Sequence, residues 1–180
     1  MFAYLRAATA RLSTTELRRA AVAASILACA TGAAQAREPV PFNPGVEPGT
    51  IVIRTSQRRL YLVTEKGAAL SYRVAVGRSG KQWFGTAVID GKHIKPAWAP
   101  PADVKKDNPK LPDVIPGGAP SNPMGAAALT LSGDKYAIHG TNQPRSIGSA
   151  ASYGCIRMLN DDVTDLFERV RVGTAVVVER

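Results

Sequence analysis

This chain of 180 residues is poor in the residues that bind metals and stack on bases. It contains two cysteines and two histidines, and neither a CxxC nor an HExxH pattern occurs. Zinc sites need several such ligands at defined spacing, so no metal is expected. Aromatic residues make up 6% of the chain and no nucleic-acid-binding motif is present, so neither DNA nor RNA is an expected partner.

The sequence also lacks an apolar run long enough for a comfortable membrane span of ~20 residues. Its clearest apolar run, AAVAASILACATGAA, extends from Ala20 to Ala34 and follows a start with four arginines and one acid. The small-x-small pattern AQA ends this stretch at Ala36. These features predict a secretory signal peptide over residues 1–36, with the mature protein in the periplasm or cell envelope and no membrane span after cleavage.

Loss of this segment leaves a basic chain with a single thiol. Residues 1–36 hold four of the 23 basic and one of the 14 acidic residues, so the mature net charge is about +6. A basic exported protein favours acidic surroundings, such as carboxylate-rich wall polymers or anionic lipid headgroups. Cys155 is then the only cysteine, so it is a nucleophile, another free thiol or half of an intermolecular bridge.

Proline and glycine divide the mature chain into segments. REPVPFNPGVEPG, residues 37–49, predicts an extended linker, and residues 50–180 are expected to form one domain. Eight prolines between Gly91 and Gly125 forbid long regular elements there. A long irregular stretch inside a compact domain is typical of a functional loop or a lid.

The pattern of apolar residues in the rest of the domain predicts a mainly β fold with a two-layer or closed sheet and one short helix after Cys155. TIVIRT and RLYLVT predict a hairpin, and ALSYRVAVG, GTAVID, AAALTLSG, KYAIHG and TAVVVE predict further strands. The helix is predicted over residues 160–170, where Asn160 or Asp161 can cap it. Its apolar residues recur at helical spacing: Val163, Leu166, Phe167 and Val170.

The densest chemistry lies in IHGTNQPRSIGSAASYGCIRM, residues 138–158, where His139 and Cys155 bracket a stretch of small residues. Such a loop can bring the two side chains together, and an imidazole that accepts the thiol proton creates a nucleophilic thiolate. Arg145, Arg157 and the N-terminus of the following helix would lower the thiol pKa. Spacing alone leaves open the alternative of an inert buried cysteine and a structural histidine.

The turn before the cysteine adds a second element of chemistry. Gly154 has no Cβ, so a substrate carbonyl could approach the backbone closely there. The N–H groups of Tyr153, Gly154 and Cys155 would then stabilise an oxyanion. The second histidine, His93, is expected to be a loop residue. A set of basic side chains is expected to form a solvated loop face or to guide anionic wall strands: Lys92, Lys95, Lys105, Lys106 and Lys110.

AIHGTNQPRSIG followed by SYGCIRM resembles the active-site signature of L,D-transpeptidases with a YkuD-type catalytic domain. RLYLV, VAVGR, GKHIKPAWAPP and PGGAPSNPMGAAALTL follow the order of that family, and the resemblance extends from residue 50 to the end of the chain. It implies a YkuD-like β domain that needs no cofactor. One departure is Tyr153, because many members read Ser-His-Gly-Cys. Tyrosine can replace an imidazole that only buttresses the loop, whereas the loss of one that tunes the thiol would shift reactivity.

The resemblance implies a role for each matching residue. Cys155 would be the nucleophile, His139 the general base, and the carbonyl of Gly140 the group that orients the imidazole. Backbone N–H groups of the Tyr153–Cys155 turn would form the oxyanion hole. Arg157 would anchor the loop or meet a substrate carboxylate. The residues expected to contact substrate are Arg157, Ser152, Thr141 and Asn142.

The implied substrate is a tetrapeptide stem of peptidoglycan. Cys155 would attack the carbonyl of its third residue, release D-alanine, and pass the acyl group to an amine of a second stem. With water as acceptor the enzyme would be an L,D-carboxypeptidase, and with an outer-membrane protein as acceptor it would anchor that protein. Carbapenems are expected to acylate Cys155. A non-catalytic wall-binding module is the alternative from another class.

Overall fold

The computed structural model describes residues 37–133 and 135–180. The predicted signal peptide lies outside these residues. The strands are β1 Arg37–Pro41, β2 Ile51–Arg54, β3 Arg59–Glu65, β4 Ala68–Arg73, β5 Val76–Gly77, β6 Gly85–Ile94, β7 Ala127–Leu131, β8 Ala137–His139, β9 Ala150–Ser152, β10 Ile156–Arg157 and β11 Ala175–Glu179. The α-helices are α1 Ala102–Asp107 and α2 Asn160–Arg169, and a 3-10 helix covers Pro144–Ser146. None of these helices is long and apolar enough to cross a membrane.

Most of the strands join one nine-stranded sheet in the order β1-β4-β3-β2-β11-β6-β7-β8-β10, while β5 and β9 pair separately. The predicted hairpin of β2 and β3 is confirmed, with Ile51 opposite Leu62 in an antiparallel register. Most neighbours are antiparallel, but β11 pairs with β2, and β10 with β8, in parallel. The mainly β class predicted from the sequence is therefore confirmed.

The central strands are buried on both faces. Ile51 and Ile53 of β2 and Val176 of β11 are fully buried in the main core cluster. Val52, on the opposite face of β2, is fully buried in a second cluster. The predicted helix after Cys155 is confirmed as α2, and its buried Val163 and Leu166 join the main cluster. This packing holds α2 beside β7 and β8 and so places the strand that carries His139.

The linker predicted at residues 37–49 needs correction at its start. Arg37–Pro41 forms edge strand β1, paired antiparallel with β4, and an edge tolerates prolines because an unpaired side needs no N–H donor. Phe42 then stacks on Tyr61 with 4.1 Å between ring centroids. The segment therefore covers one face of the sheet, where Phe42 packs with Val52 and Val63.

Three further details differ from the sequence predictions. His93, expected in a loop, lies in strand β6 opposite Ala128 of β7. The proline-rich stretch contains a second short helix, α1, none of whose residues is buried. Helix α2 begins without a side-chain cap, because its N-cap residue is Leu159. Asn160 is already inside the helix, and its side chain accepts from the backbone N–H groups of Ala126 and Thr141. The predicted capping role of Asn160 is therefore wrong, and its actual contacts lie next to the candidate site.

Candidate active site

Two short parallel strands carry the candidate chemical groups. In the register of β8 and β10, Ile138 lies beside Ile156 and His139 beside Arg157. Both isoleucines are buried in the core, and alternation along a strand turns the intervening residues to the opposite face. Cys155, two residues before Arg157, falls on the same face as His139 and Arg157. This pairing brings the two ends of the segment between His139 and Cys155 side by side.

A cavity of about 260 Å³ opens on this face, and both His139 and Cys155 line it. Arg157, Ser152 and Asn142 line the same cavity. The facing wall comes from the proline-rich stretch and is mostly apolar: Trp98, Pro101, Val104, Leu111, Ile115, Pro123 and Met124. The arrangement places one thiol, one imidazole and one guanidinium in a largely apolar cleft.

His139 is oriented by the next residue in the chain. Its Nδ1 lies 2.7 Å from the carbonyl oxygen of Gly140, and because a carbonyl only accepts, Nδ1 carries the proton. Burial lowers the pKa of His139 to about 4, although the carbonyls of Gly140 and Pro123 act in the opposite direction. At neutral pH the imidazole is therefore uncharged and its Nε2 holds a free electron pair.

Cys155 is a partly buried free thiol. Burial raises its pKa, opposed by a backbone hydrogen bond with Ala137 and by the charge of Arg157. The lowering of the thiol pKa predicted for Arg157 is thus present but smaller than the effect of burial. Arg145 lies in the 3-10 helix and does not line the cavity. A raised thiol pKa beside a lowered imidazole pKa describes a neutral pair at rest.

The turn that presents the thiol is held by Ser152. The Ser152 hydroxyl donates to the carbonyl of Cys155 at 2.6 Å and accepts from the N–H of Gly154 at 3.0 Å. The Gly154 N–H is therefore occupied, which removes it from the predicted oxyanion hole. The N–H groups of Tyr153 and Cys155 make no hydrogen bond to the described part of the chain.

The reason for glycine at position 154 also differs from the prediction. Gly154 has a φ of +121°, a conformation that side chains with a Cβ rarely adopt. A Cβ there would lie 2.3 Å from Cε1 of Tyr136, and the Tyr136 ring stacks on Trp83. Glycine is needed for packing behind the thiol loop, not for the approach of a substrate carbonyl.

The four predicted substrate residues separate into different environments. Arg157 is half-buried in the cavity and forms no ion pair with any acid of the described ranges. Asn142 is exposed at the rim, and the Ser152 hydroxyl is committed to its own turn. Thr141 is buried and lines a neighbouring cavity instead, and its hydroxyl accepts from the N–H of Gln143 at 3.0 Å. Its contact with substrate stays a prediction.

Asn160 is a positioning residue that the sequence reading missed. Its Oδ1 accepts from the N–H groups of Thr141 at 3.0 Å and Ala126 at 3.1 Å. A Cβ on Gly140 would lie 2.3 Å from the same oxygen. Asn160 thus fixes the backbone that follows His139. In the sequence this asparagine was interpreted only as a helix cap.

The phenol of Tyr153 extends from the thiol loop to α1. Its hydroxyl donates to Oδ2 of Asp107 at 2.5 Å, and the Arg78 guanidinium lies 4.1 Å from the ring centroid.

Lys92, one of the predicted loop-face lysines, instead donates to the carbonyls of Phe167 and Val170 at the end of α2. Within residues 37–133 and 135–180, no cluster of three or more His, Cys, Asp or Glu side chains could hold a metal.

Comparison with known proteins gives a consistent family. A profile described as YkuD, L,D-transpeptidase catalytic domain, matches residues 48–178. The probable L,D-transpeptidase YbiS of Escherichia coli K12 is 38% identical over 135 residues, which cover 70% of this chain and 43% of YbiS. The chain thus spans less than half the length of this curated relative.

Solved structures share the fold. L,D-transpeptidase 3 from Mycobacterium tuberculosis, in complex with a faropenem-derived adduct, gives a TM-score of 0.54 at 14% identity, covering 73% of this chain and 60% of that one. A Brucella melitensis chain described as a probable carnitine operon oxidoreductase is 43% identical, with a TM-score of 0.53 and coverage of 79% and 92%. The profile and the curated relative agree with each other and differ from that last description.

Proposed function

Because the chain belongs to the YkuD family of L,D-transpeptidase catalytic domains, we propose that it is an exported cysteine L,D-transpeptidase that crosslinks peptidoglycan. One observation carries the proposal: His139 and Cys155 line one cavity, with the His139 ring held by the carbonyl of Gly140 at 2.7 Å. A thiol and an oriented imidazole beside free backbone N–H groups are the components of acyl transfer through a thioester.

The first half-reaction forms the acyl-enzyme. Sγ of Cys155 attacks the carbonyl carbon of the third residue of a tetrapeptide stem while Nε2 of His139 takes the thiol proton. The N–H groups of Tyr153 and Cys155 donate to the developing oxyanion. When the tetrahedral intermediate collapses, the C–N bond to D-alanine breaks and the imidazolium returns its proton to the leaving amine. A thioester on Cys155 remains.

The second half-reaction uses the same groups in reverse. The amine of a second stem attacks the thioester carbonyl, and Nε2 of His139 takes one of its protons. The C–S bond breaks, the sulfur leaves as a thiolate, and the imidazolium restores the thiol. The product is an amide between two third-position residues, so no net oxidation or reduction occurs.

The neutral resting pair sets the timing of proton transfer. Burial lowers the pKa of His139 to about 4 and raises the pKa of Cys155, so thiolate and imidazolium are disfavoured before substrate binds. We therefore assign His139 as a general base that acts during attack, with Arg157 stabilising negative charge as it develops on sulfur. An imidazole that is neutral at the working pH is ready to accept a proton.

Arg157 is also proposed to bind a carboxylate of the donor stem. It is half-buried and the only formally charged side chain lining the cavity at neutral pH. Burial lowers the pKa of its guanidinium, and a charge removed from water without a partner is costly. A donor carboxylate would supply that partner, in preference to the alternative in which Arg157 only anchors the loop.

The acceptor defines the close variants of this proposal. Water would give an L,D-carboxypeptidase, and an amine of an outer-membrane protein would give an anchoring enzyme. A non-catalytic wall-binding module remains the alternative from another class, but it does not require the orienting contact between His139 and Gly140. Muropeptide analysis of cells with and without the protein separates the acceptors by product: crosslinked dimers, tripeptide stems or protein-linked stems.

Acylation by a carbapenem or penem tests the enzyme assignment directly. Intact-mass spectrometry should show wild-type protein gaining one inhibitor mass, as expected when a thiol opens the β-lactam ring. Cys155→Ala should gain nothing, while Ser149→Ala, an alcohol outside the cavity lining, serves as the matched control and should react normally. Absence of an adduct in wild-type protein between pH 5 and 9 would favour the wall-binding module.

A further inference from the structure

The segment that forms the apolar wall of the cavity is an arm with a narrow neck. Trp98 and Ile115 pair through two backbone hydrogen bonds of 2.9 and 2.8 Å, and residues 99–114 between them form the arm. Its centre is α1, which spans only six residues. A helix of this length is not stable by itself in water, so the arm depends on its contacts with the rest of the domain.

Those contacts involve one face of α1. Asp103 and Asp107 are four residues apart, so they lie on the same side of the helix. Asp103 pairs with Lys81 at 2.7 Å and Asp107 with Arg78 at 2.8 Å. Both cations belong to the loop between β5 and β6, which therefore receives the arm along two adjacent points.

The same loop is joined to the turn that presents the thiol. The N–H of Arg78 donates to the carbonyl of Ser152 at 2.9 Å, and the indole N–H of Trp83 donates to the carbonyl of Gly154 at 3.0 Å. The Tyr153 hydroxyl completes a triangle, since it donates to the carboxylate of Asp107 that also binds Arg78. Tyr153 is adjacent in sequence to Gly154 and two residues from Cys155.

We propose that Tyr153, Asp107 and Arg78 form a latch that holds the arm closed over Cys155 and thereby limits the size of molecule that reaches the thiol. Tyr153 is in this respect a positioning residue, acting through Asp107 on the wall formed by Val104 and Leu111. The consequence for stem peptides rests on the proposed function: a closed arm presses that wall against the donor, and an open arm admits a bulky acceptor.

Thiol labelling measures the latch without requiring catalysis. The readout is the ratio of the alkylation rate of Cys155 by a bulky fluorescein maleimide to that by iodoacetamide. Exposed ion pairs stabilise by amounts that correspond to about two- to fivefold in an equilibrium, so Asp107→Asn should raise this ratio about fivefold. Tyr153→Phe, which keeps the ring beneath Arg78, should raise it about threefold. The double variant should show less than the product of the two effects, because both single changes remove one shared contact.

Asp113→Asn is the matched control. It also removes an ion pair of the arm, Lys105 with Asp113 at 2.8 Å, but Asp113 makes no contact with the thiol loop, and the ratio should not change. An unchanged ratio in both Asp107→Asn and Tyr153→Phe, with Cys155 still alkylated, would overturn the latch. If the thiol resists both reagents, hydrogen exchange at Lys105 and Asn108, whose amides donate to the carbonyls of Pro101 and Val104 at the two ends of α1, replaces the labelling. Unchanged protection of these amides overturns the proposal.

The experiments distinguish a failure of the latch from a failure of the proposed function. A latch-dependent labelling ratio in a protein that no β-lactam acylates would leave the latch and remove the transpeptidase assignment. Acylation of wild-type protein with an unaffected labelling ratio in the variants would do the opposite. Where both hold, Asp107→Asn should raise KM for a tetrapeptide donor about fivefold and change kcat less, because the arm contacts bound donor without touching the reacting atoms.

Discussion

The two walls of the Cys155 cavity are held in different ways. The wall of β8 and β10 is a strand pair whose neighbouring residues Ile138 and Ile156 are buried in the core. The facing arm has a firm base, where the buried Asn122 side chain donates to the carbonyl of Pro96 at 2.9 Å, but its α1 tip is held by exposed ion pairs. His139 thus lies on a strand fixed by core packing and Cys155 directly precedes its partner strand, whereas the part that shapes the entrance is held by weaker, exposed contacts.

Replacement of the proposed general base, His139, should have the largest effect on the rate of acylation. His139→Gln keeps a side chain that can hydrogen-bond Gly140 but cannot accept the thiol proton at neutral pH. Positioned acid–base groups contribute roughly 10² to 10⁴ in rate, so acylation of Cys155 by a penem should slow about a thousandfold in stopped-flow measurements. A loss of less than tenfold would show that His139 is not the base, whereas a change in the arm alone should never reach this size.

The same histidine should make the free energy of unfolding fall at acidic pH. In the folded protein burial lowers the pKa of His139 from 6.5 to about 4, so the unfolded chain binds more protons between these values. Stability should therefore fall as pH drops from 6.5 towards 4, by up to about 3 kcal/mol from this group. Urea unfolding at pH 7.0 and 4.5 measures it, and His139→Gln, which cannot titrate, should lose that part of the pH dependence. An equal loss of unfolding free energy between pH 7.0 and 4.5 in both proteins would contradict the burial of a neutral imidazole.

Asn160 supports the strand wall from outside the cavity. Asn160→Ala leaves the N–H groups of Ala126 and Thr141 without their acceptor, which should lower the free energy of unfolding by about 1–2 kcal/mol. Acylation of Cys155 should slow about tenfold, because Gly140 then holds the imidazole less firmly. Asn160→Asp retains an acceptor oxygen at the same place and is the matched control. Slow acylation in both variants would show that an acceptor oxygen at this position is not sufficient, and normal acylation in Asn160→Ala would contradict the positioning role.

Strands and helix α2 were predictable from the sequence because their residue types and spacing are local signals. Strand β2 is a short run of β-branched residues, Ile51 to Ile53, buried on both faces, and the spacing of Val163 and Leu166 in α2 reflects packing against one core. Cys155 and His139 were predictable for another reason: a family signature records their chemistry directly. Contacts set by tertiary structure gave no such signal, so strand β1 was read as a linker from its prolines.

The misread glycine and asparagine have the same origin. Gly154 was interpreted by what could approach it from the substrate side, but the tertiary neighbour that excludes a Cβ is Tyr136, eighteen positions earlier. Asn160 was assigned to the nearest helix end, whereas its partners lie on two other segments. Tyr153 was compared with a histidine at the same position, and only the placement of α1 reveals Asp107 as its partner.

Lys92 tests whether support of the strand wall can be weakened without affecting chemistry. Its ammonium donates to the carbonyls of Phe167 and Val170 at 2.6 and 2.7 Å, where the negative end of the α2 dipole lies. Lys92→Met should therefore destabilise the fold by about 1–2 kcal/mol in urea unfolding. Lys106→Met, at an exposed lysine of the arm, should leave stability unchanged. Neither variant should alter labelling of Cys155 by iodoacetamide, since neither side chain lines the cavity.

Loss of the second ion pair of the arm should have the smallest effect on the labelling ratio. Lys81 and Asp103 form an exposed ion pair, and the Lys81 ammonium also lies 5.7 Å from the centroid of the Tyr153 ring. Asp103→Asn should raise the labelling ratio of bulky to small reagent by about twofold. Because Asp103 and Asp107 lie one turn apart and hold the same arm, their combined effect should be less than the product of the two. Salt at 1 M, where screening acts over ~3 Å, should bring wild-type protein towards the ratio of the variants. If salt left the ratio unchanged, the arm would be held by apolar packing of Val104 and Leu111 instead of charge, and the two walls would differ less than their contacts indicate.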